Sequence, residues 1–295
     1  RPSRRPALRL EALEAREVPA TYVWTNVLGN GLSYVAGNWV NQSGVPHTAP
    51  PGSGDDLIFD GAVSHNSCYG LRGHALPESH ADFASLSLIN NYGGTVQVAS
   101  DGTAGIAVGE FNLASGAISQ PHSNAQFSVL DAFTWTGGTL NSSMNKSVVN
   151  LSGTGSIAPL NGGIVMAGSD LNFGGQGVQT TVSVQPGTVQ FNNAAGAVIG
   201  FGAQVQVDLI SSAPGTIQGL GQAGANKWTI NAGGSLEYRG IGTASTNMPI
   251  ENNGGLFKLN GQVTVTLSGG DMATASYGQT NNAASKLHIV NGSTL

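Results

Sequence analysis

The chain has 295 residues, a net charge of −5 at pH 7 and only 9% charged residues, far below the roughly 25% of an average globular protein. Five of the 11 basic residues (Arg1, Arg4, Arg5, Arg9 and Arg16) crowd the start, so the body lacks the basic face that phosphates need, which argues against a nucleic-acid partner. Glycine, at 44 residues, has about twice its usual share, yet recurring β-branched and aromatic residues argue against disorder.

Residues 1–20 form a basic N-terminal segment. Pro2 and Pro6 hold its start extended, and Leu10, Leu13 and Glu14 have helical spacing. Val18-Pro19 ends this short helix, because the residue before proline disfavours the α region. The segment shares no period with the rest and is expected to be separable from it.

Residues 21–82 open the β domain. Tyr22-Val23-Trp24 is a first strand, and Gly29-Asn30-Gly31 is a turn. A loop rich in proline and glycine precedes the buried strand Leu57-Ile58-Phe59. Trp24 and Trp39 have the bulk to close the end of a stack, whose core would otherwise lie open. Residues 61–82 are expected to leave the stack as an irregular loop. Cys68 is the only cysteine, so no intramolecular disulfide supports the fold. No run of about 18 apolar residues marks a transmembrane helix.

From 83 to 295 one unit keeps returning: two apolar residues one apart, a glycine, then another aliphatic. Phe111 and Leu113 lead to Gly116 and Ile118; Phe133 and Trp135 lead to Gly138 and Leu140. Val182 and Val184 lead to Gly187 and Val189; Phe257 and Leu259 lead to Gly261 and Val263. Each unit reads as strand, turn, strand, with alternate residues facing one core. One unit cannot bury its apolar face alone, whereas a stack of them can. The expected fold is all-β, a right-handed parallel β-helix, with an antiparallel β-sandwich as the alternative. Phe111, Leu113, Trp135, Leu151, Val184, Ile230, Leu259 and Ile289 are expected to share one interior. The unit recurs as far as Leu287 to Leu295 with no atypical cap after it. The chain is therefore expected to be the N-terminal piece of a longer protein, prone to end-to-end self-association.

Two segments resemble known families. LEALEAREVPA at 10–20, behind its arginines, resembles a motif near the N-termini of exported planctomycete proteins, with Ala15 where the family form has Asp. Gly37-Asn38-Trp39, Val45-Pro46, Gly54-Asp55-Asp56 and Ile58-Phe59 resemble the first coils of bacterial surface proteins with β-helix passengers, including autotransporter-like adhesins. The resemblance implies an exported, surface-associated protein and brings no catalytic residues with it.

Several residue groups have site chemistry. Asp55, Asp56 and Asp60 are candidates for a calcium site; their plainer reading is turn capping. His65, Cys68, His74 and His80 have ligand chemistry but not the paired spacing of a zinc site. Gly174-Gly175-Gln176-Gly177 has the outline of a calcium nonapeptide, but Gln179 replaces its aspartate. Gly219, Gly221 and Gly224 have dinucleotide-fingerprint spacing, but a strand rather than a helix should follow. Glu237 and Arg239, two apart on one strand face, are the candidate acid–base pair of a polysaccharide lyase or glycoside hydrolase. Their plainer reading is a surface ion pair. No cofactor is expected. The function expected is a non-enzymatic cell-surface or extracellular structural or adhesive protein that meets surface or matrix polymers, with glycans among the candidates. The alternative is a carbohydrate-active enzyme or glycan-binding module.

Overall fold

The computed structural model describes residues 19–72, 81–98, 105–121 and 126–142. Beyond these it describes 148–151, 154–157, 164–167, 170–173, 181–184, 188–192, 198–201, 204–209, 215–220, 227–231, 235–246, 250–253, 256–267 and 286–290. These residues are all-β, with one 3₁₀ turn at Ala36–Asn38 as their only helical element. No helix among them is long and apolar enough to cross a membrane. The expected N-terminal helix lies outside the described residues.

Apart from β2, the strands pair in parallel and mostly in register, each with a strand further along the chain. The first run of pairing joins β1 (Thr21–Trp24), β3 (Asp56–Asp60), β5 (Phe83–Ile89), β7 (Ile106–Leu113) and β9 (Gln126–Trp135). It continues through β12 (Thr154–Ile157), β15 (Thr181–Val184), β18 (Gln204–Leu209), β21 (Ser235–Thr246), β23 (Leu256–Leu267) and β24 (Lys286–Val290). A second run starts at β4 (Cys68–Leu71) and passes through β6 (Thr95–Val98), β8 (Ala117–Gln120), β10 (Thr139–Ser142), β13 (Ile164–Ala167), β16 (Thr188–Asn192) and β19 (Gly215–Leu220) to the far half of β21. A third leaves the near half of β9 through β11 (Val148–Leu151), β14 (Asp170–Phe173), β17 (Val198–Phe201), β20 (Lys227–Asn231) and β22 (Ile250–Asn253). Parallel pairing of this kind is not that of an antiparallel sandwich.

Register makes the core legible residue by residue. Phe59, Leu88, Leu113, Trp135, Ile157, Val184, Val207, Tyr238, Leu259 and Ile289 follow one another in a single line of partners. Two residues earlier, Leu57, Leu86, Phe111, Phe133, Gly155, Val182, Val205, Leu236, Phe257 and Leu287 do the same. Of the eight residues expected in the interior, Phe111, Leu113, Trp135, Leu151 and Leu259 are buried in one cluster. The side chains of Val184, Ile230 and Ile289 lie outside the described residues; Val184 and Ile289 hold the matching register positions. Gly155 interrupts the apolar line because a Cβ there would stand 2.4 Å from the ring of Phe133 on the preceding coil.

Gly116 and Gly138 mark corners, whereas Gly261 lies within β23 and Gly187 lies outside the described residues. The strands joined at Gly116 and Gly138 do not pair with each other; each pairs with a strand further along the chain. Gly116 and Gly138 have φ of 70° and 72°, which glycine adopts without steric cost. They also stack: the Thr139 N–H donates to the Gly116 carbonyl, as the Ala117 N–H does to that of Gly94. A Cβ on Gly116 would lie 2.6 Å from the Tyr92 ring, so both backbone angle and space demand glycine.

The N-terminal end is built differently. β2 (Trp39–Val40) pairs antiparallel with β1, and Val40 bridges Pro46 beyond it. This covers the outer side of β1, and the proline offers no donor for further pairing. Trp24, Trp39, Phe59 and Tyr92 plate the core beneath, with Trp24 and Trp39 edge to face at 4.9 Å. One expectation is corrected here. Cys68 does not sit on an excursion: β4 pairs in parallel with β6, and Cys68 is fully buried opposite Val96. Ala20, the last residue of the N-terminal segment, donates to Asp55 Oδ1 and accepts from the Asp56 N–H.

Candidate functional site

Between the two inward lines runs an outward one. Ile58, Ser87, Asn112, Thr134, Ser156, Ser183, Gln206, Glu237, Lys258 and His288 are register partners in succession. From Ser87 to Ser183 the line is small, polar and uncharged. In the last coils it becomes amide, carboxylate, ammonium and imidazole. Two residues further along, Asp208, Arg239 and Asn260 are partners; two residues earlier, Ser235, Leu256 and Lys286 are.

Glu237 is the best defined residue of this group. It is only 8% exposed, between Leu236 at 0% and Tyr238 at 1%. The Asn260 side-chain amide donates to its Oε1 at 2.9 Å. Asn260 is the register partner of Arg239, so the bond runs diagonally between coils, a reach open to long side chains. β21 lies between β18 and β23, and the Glu237 carboxylate there is recessed and hydrogen-bonded. Arg239 stands in register between Asp208 and Asn260; its side chain lies outside the described residues.

The three N-terminal aspartates do not converge. Asp56 and Asp60 sit at the two ends of β3, about 13 Å apart at the usual rise per residue, too far to share one cation with its short oxygen bonds. Each is engaged locally. Asp55 accepts from the Ala20 and Gly52 N–H groups, Asp56 from the Ser85 hydroxyl, and Asp60 from Ala62 N–H and the Asn90 amide. Among the described residues, no group of three or more His, Cys, Asp or Glu could hold a metal ion.

The histidine and cysteine group also separates. His65 Nδ1 accepts from the Gly93 N–H, while Cys68 lies in the core, where burial pushes its thiol well up. A high thiol value means little thiolate and little reactivity. His74 and His80 lie outside the described residues, as do Gly174-Gly175-Gln176-Gly177 and Gln179. Gly219 lies within β19, and Lys227–Asn231 beyond the glycines is the strand β20; Gly221 and Gly224 lie outside the described residues.

A cleft of about 190 Å³ opens near the N-terminal end, between Tyr34, Pro50, Pro51, Arg72 and Phe83. The Arg72 guanidinium stands 5.9 Å from the Tyr34 ring centroid, within cation–π range. Tyr34 is exposed. The cleft is smaller than the roughly 300–1,000 Å³ of ligand pockets, and no acid or base in it is placed for catalysis.

The line of register partners through Glu237 was not found from sequence. A signal was present: Val205/Val207, Leu236/Tyr238, Phe257/Leu259 and Leu287/Ile289 each flank one residue. Aligning those apolar pairs places Gln206, Glu237, Lys258 and His288 together. No family model matches the chain, and neither a curated protein nor a solved structure is similar to it.

Proposed function

We propose that the chain is an exported, non-enzymatic structural or adhesive protein of the cell surface or matrix, built as a right-handed parallel β-helix. The observation that carries this reading is the outward line Ser87–Asn112–Thr134–Ser156–Ser183, uncharged over successive strands and flanked by two inward lines that are apolar except at Gly155. A rod with such a neutral line of hydroxyls and amides suits load-bearing or contact with polymers, and that line offers no acid–base pair. Three in-register runs of parallel strands support the β-helix, and right-handed connections are the rule between parallel strands. The resemblance of residues 10–20 to an export-associated motif supports the location.

Incubation with a panel of neutral and acidic polysaccharides tests the reading. No reducing ends and no unsaturated sugars should be released. Release of either would replace it with the second reading, a carbohydrate-active enzyme on the same scaffold. The recessed carboxylate of Glu237 favours that second reading, since a partly buried acid is the usual form of a glycosidic proton donor.

A further inference from the structure

The body from 83 to 295 holds five basic residues: Lys146, Lys227, Arg239, Lys258 and Lys286. Coil register gathers three of them. Lys286 follows Leu256 and Ser235; Lys258 follows Glu237; Arg239 stands beside Asn260. All three occupy the alternate positions of Glu237, on β21, β23 and β24, with His288 among them. On β3 to β18 the same positions hold no Lys or Arg; most are Ser, Thr, Asn or Gln, and Asp56, Asp60, Glu110 and Asp208 are acidic. We infer that this face, around Arg239, Lys258, Lys286 and the recessed Glu237, is a docking site for a carboxylated, extended polysaccharide. The inference rests on the adhesive reading and names its partner class.

The chemistry selects among polyanions. Ammonium and guanidinium groups bind carboxylates with charge-assisted hydrogen bonds. The amides of Gln206 and Asn260 and the carboxylate of Glu237 suit sugar hydroxyls, which both donate and accept. Asp208 and Glu237 fall at the same positions, and as acceptors they suit the hydroxyls of a sugar chain, which the phosphates of duplex DNA do not offer. The positions recur about every 4.8 Å across coils and about every 6.6 Å along a strand, a grid that an extended chain can follow over several sugar units.

Retention by immobilised polygalacturonate tests this, with dextran, duplex DNA and anionic phosphatidylserine vesicles as comparisons. Polygalacturonate should retain the protein, and rising salt should release it. The pair Arg239→Gln and Lys258→Gln should weaken retention at least about tenfold. Lys286→Gln should weaken it less, and Lys227→Gln, on β20 in the third run, should leave it unchanged. If the double variant does not fold, the contrast between Lys286→Gln and Lys227→Gln carries the test. No retention overturns the proposal. So does equal retention by dextran, equal weakening by Lys227→Gln, or binding to DNA or vesicles as tight as to polygalacturonate. Such failures leave the non-enzymatic reading intact, because that reading falls only to product release from the polysaccharide panel.

Discussion

The aromatic side chains at the N-terminal end and those in the later coils are equally buried but differently served. Trp24 Nε1 donates to the Asn66 carbonyl, Trp39 Nε1 to that of Ser33, and the Tyr92 hydroxyl to Asn66 as well. Trp135 Nε1 and the Tyr238 hydroxyl are buried without a hydrogen-bond partner among the described residues. The reason lies in what surrounds each. At the end, loops at 28–38 and 61–67 turn their carbonyls toward the core. Asn38, fully buried, helps hold the first of these by accepting from the Leu28 N–H and donating to the Leu32 carbonyl. Within the coils, carbonyls and N–H groups are committed to the ladders, so an indole or phenol there meets apolar neighbours. The end is thus specified by polar geometry and the coils by apolar volume.

The largest test of that contrast is Trp39→Ala. It removes a wholly buried ring from the plate and orphans the Ser33 carbonyl, and should cost about 3–5 kcal/mol in urea unfolding. A loss below about 1 kcal/mol would show that the end does not depend on its plate.

Gly155→Ala tests the volume rule in the coils. The new methyl would meet the Phe133 ring, and overpacking of this kind costs about 1–3 kcal/mol. Phe133→Leu should recover part of the loss in the double variant, because the two positions are register partners. Strict additivity of the two changes would break the in-register stacking of these coils.

The smallest effects come from two tyrosines. At pH 7, Tyr92→Phe should cost about 1 kcal/mol by leaving the Asn66 carbonyl one partner short, whereas Tyr238→Phe should stabilise by a similar amount, because it removes an unpaired hydroxyl. Burial pushes both phenols up, with Cys68 and Tyr69 adding to the rise at Tyr92, and burial pushes up the Cys68 thiol. Their neutral forms are the folded ones, so stability is level below the ordinary thiol and phenol values of 9.0 and 10.0. Above each it falls by about 1.4 kcal/mol per pH unit and per group. Urea midpoints measured from pH 7 upward should decline in that order, and Tyr238→Phe should flatten the decline above 10. An unchanged alkaline slope would mean that Tyr238 is not sealed in the core.

The all-β class, the corner glycines and the apolar pairs were legible in the sequence because each depends on a few adjacent residues. Alternation chooses which side chains face inward, and only glycine suits the positive-φ, crowded corner at Gly116. The tryptophans at 24 and 39 were legible as end plates through bulk alone. Other features depend on which residues meet across coils, and coil length varies. From Val96 to Ile118 to Leu140 the steps are equal, but from Val205 to Leu236 to Phe257 to Leu287 they are not. Sequence distance therefore could not place Lys258 beside Glu237, draw Cys68 into the core, or bind Ala20 to Asp55. Those pairings were decided by the tertiary structure, because backbone ladders align strands by hydrogen-bond register, and register is indifferent to how much chain the intervening loops contain.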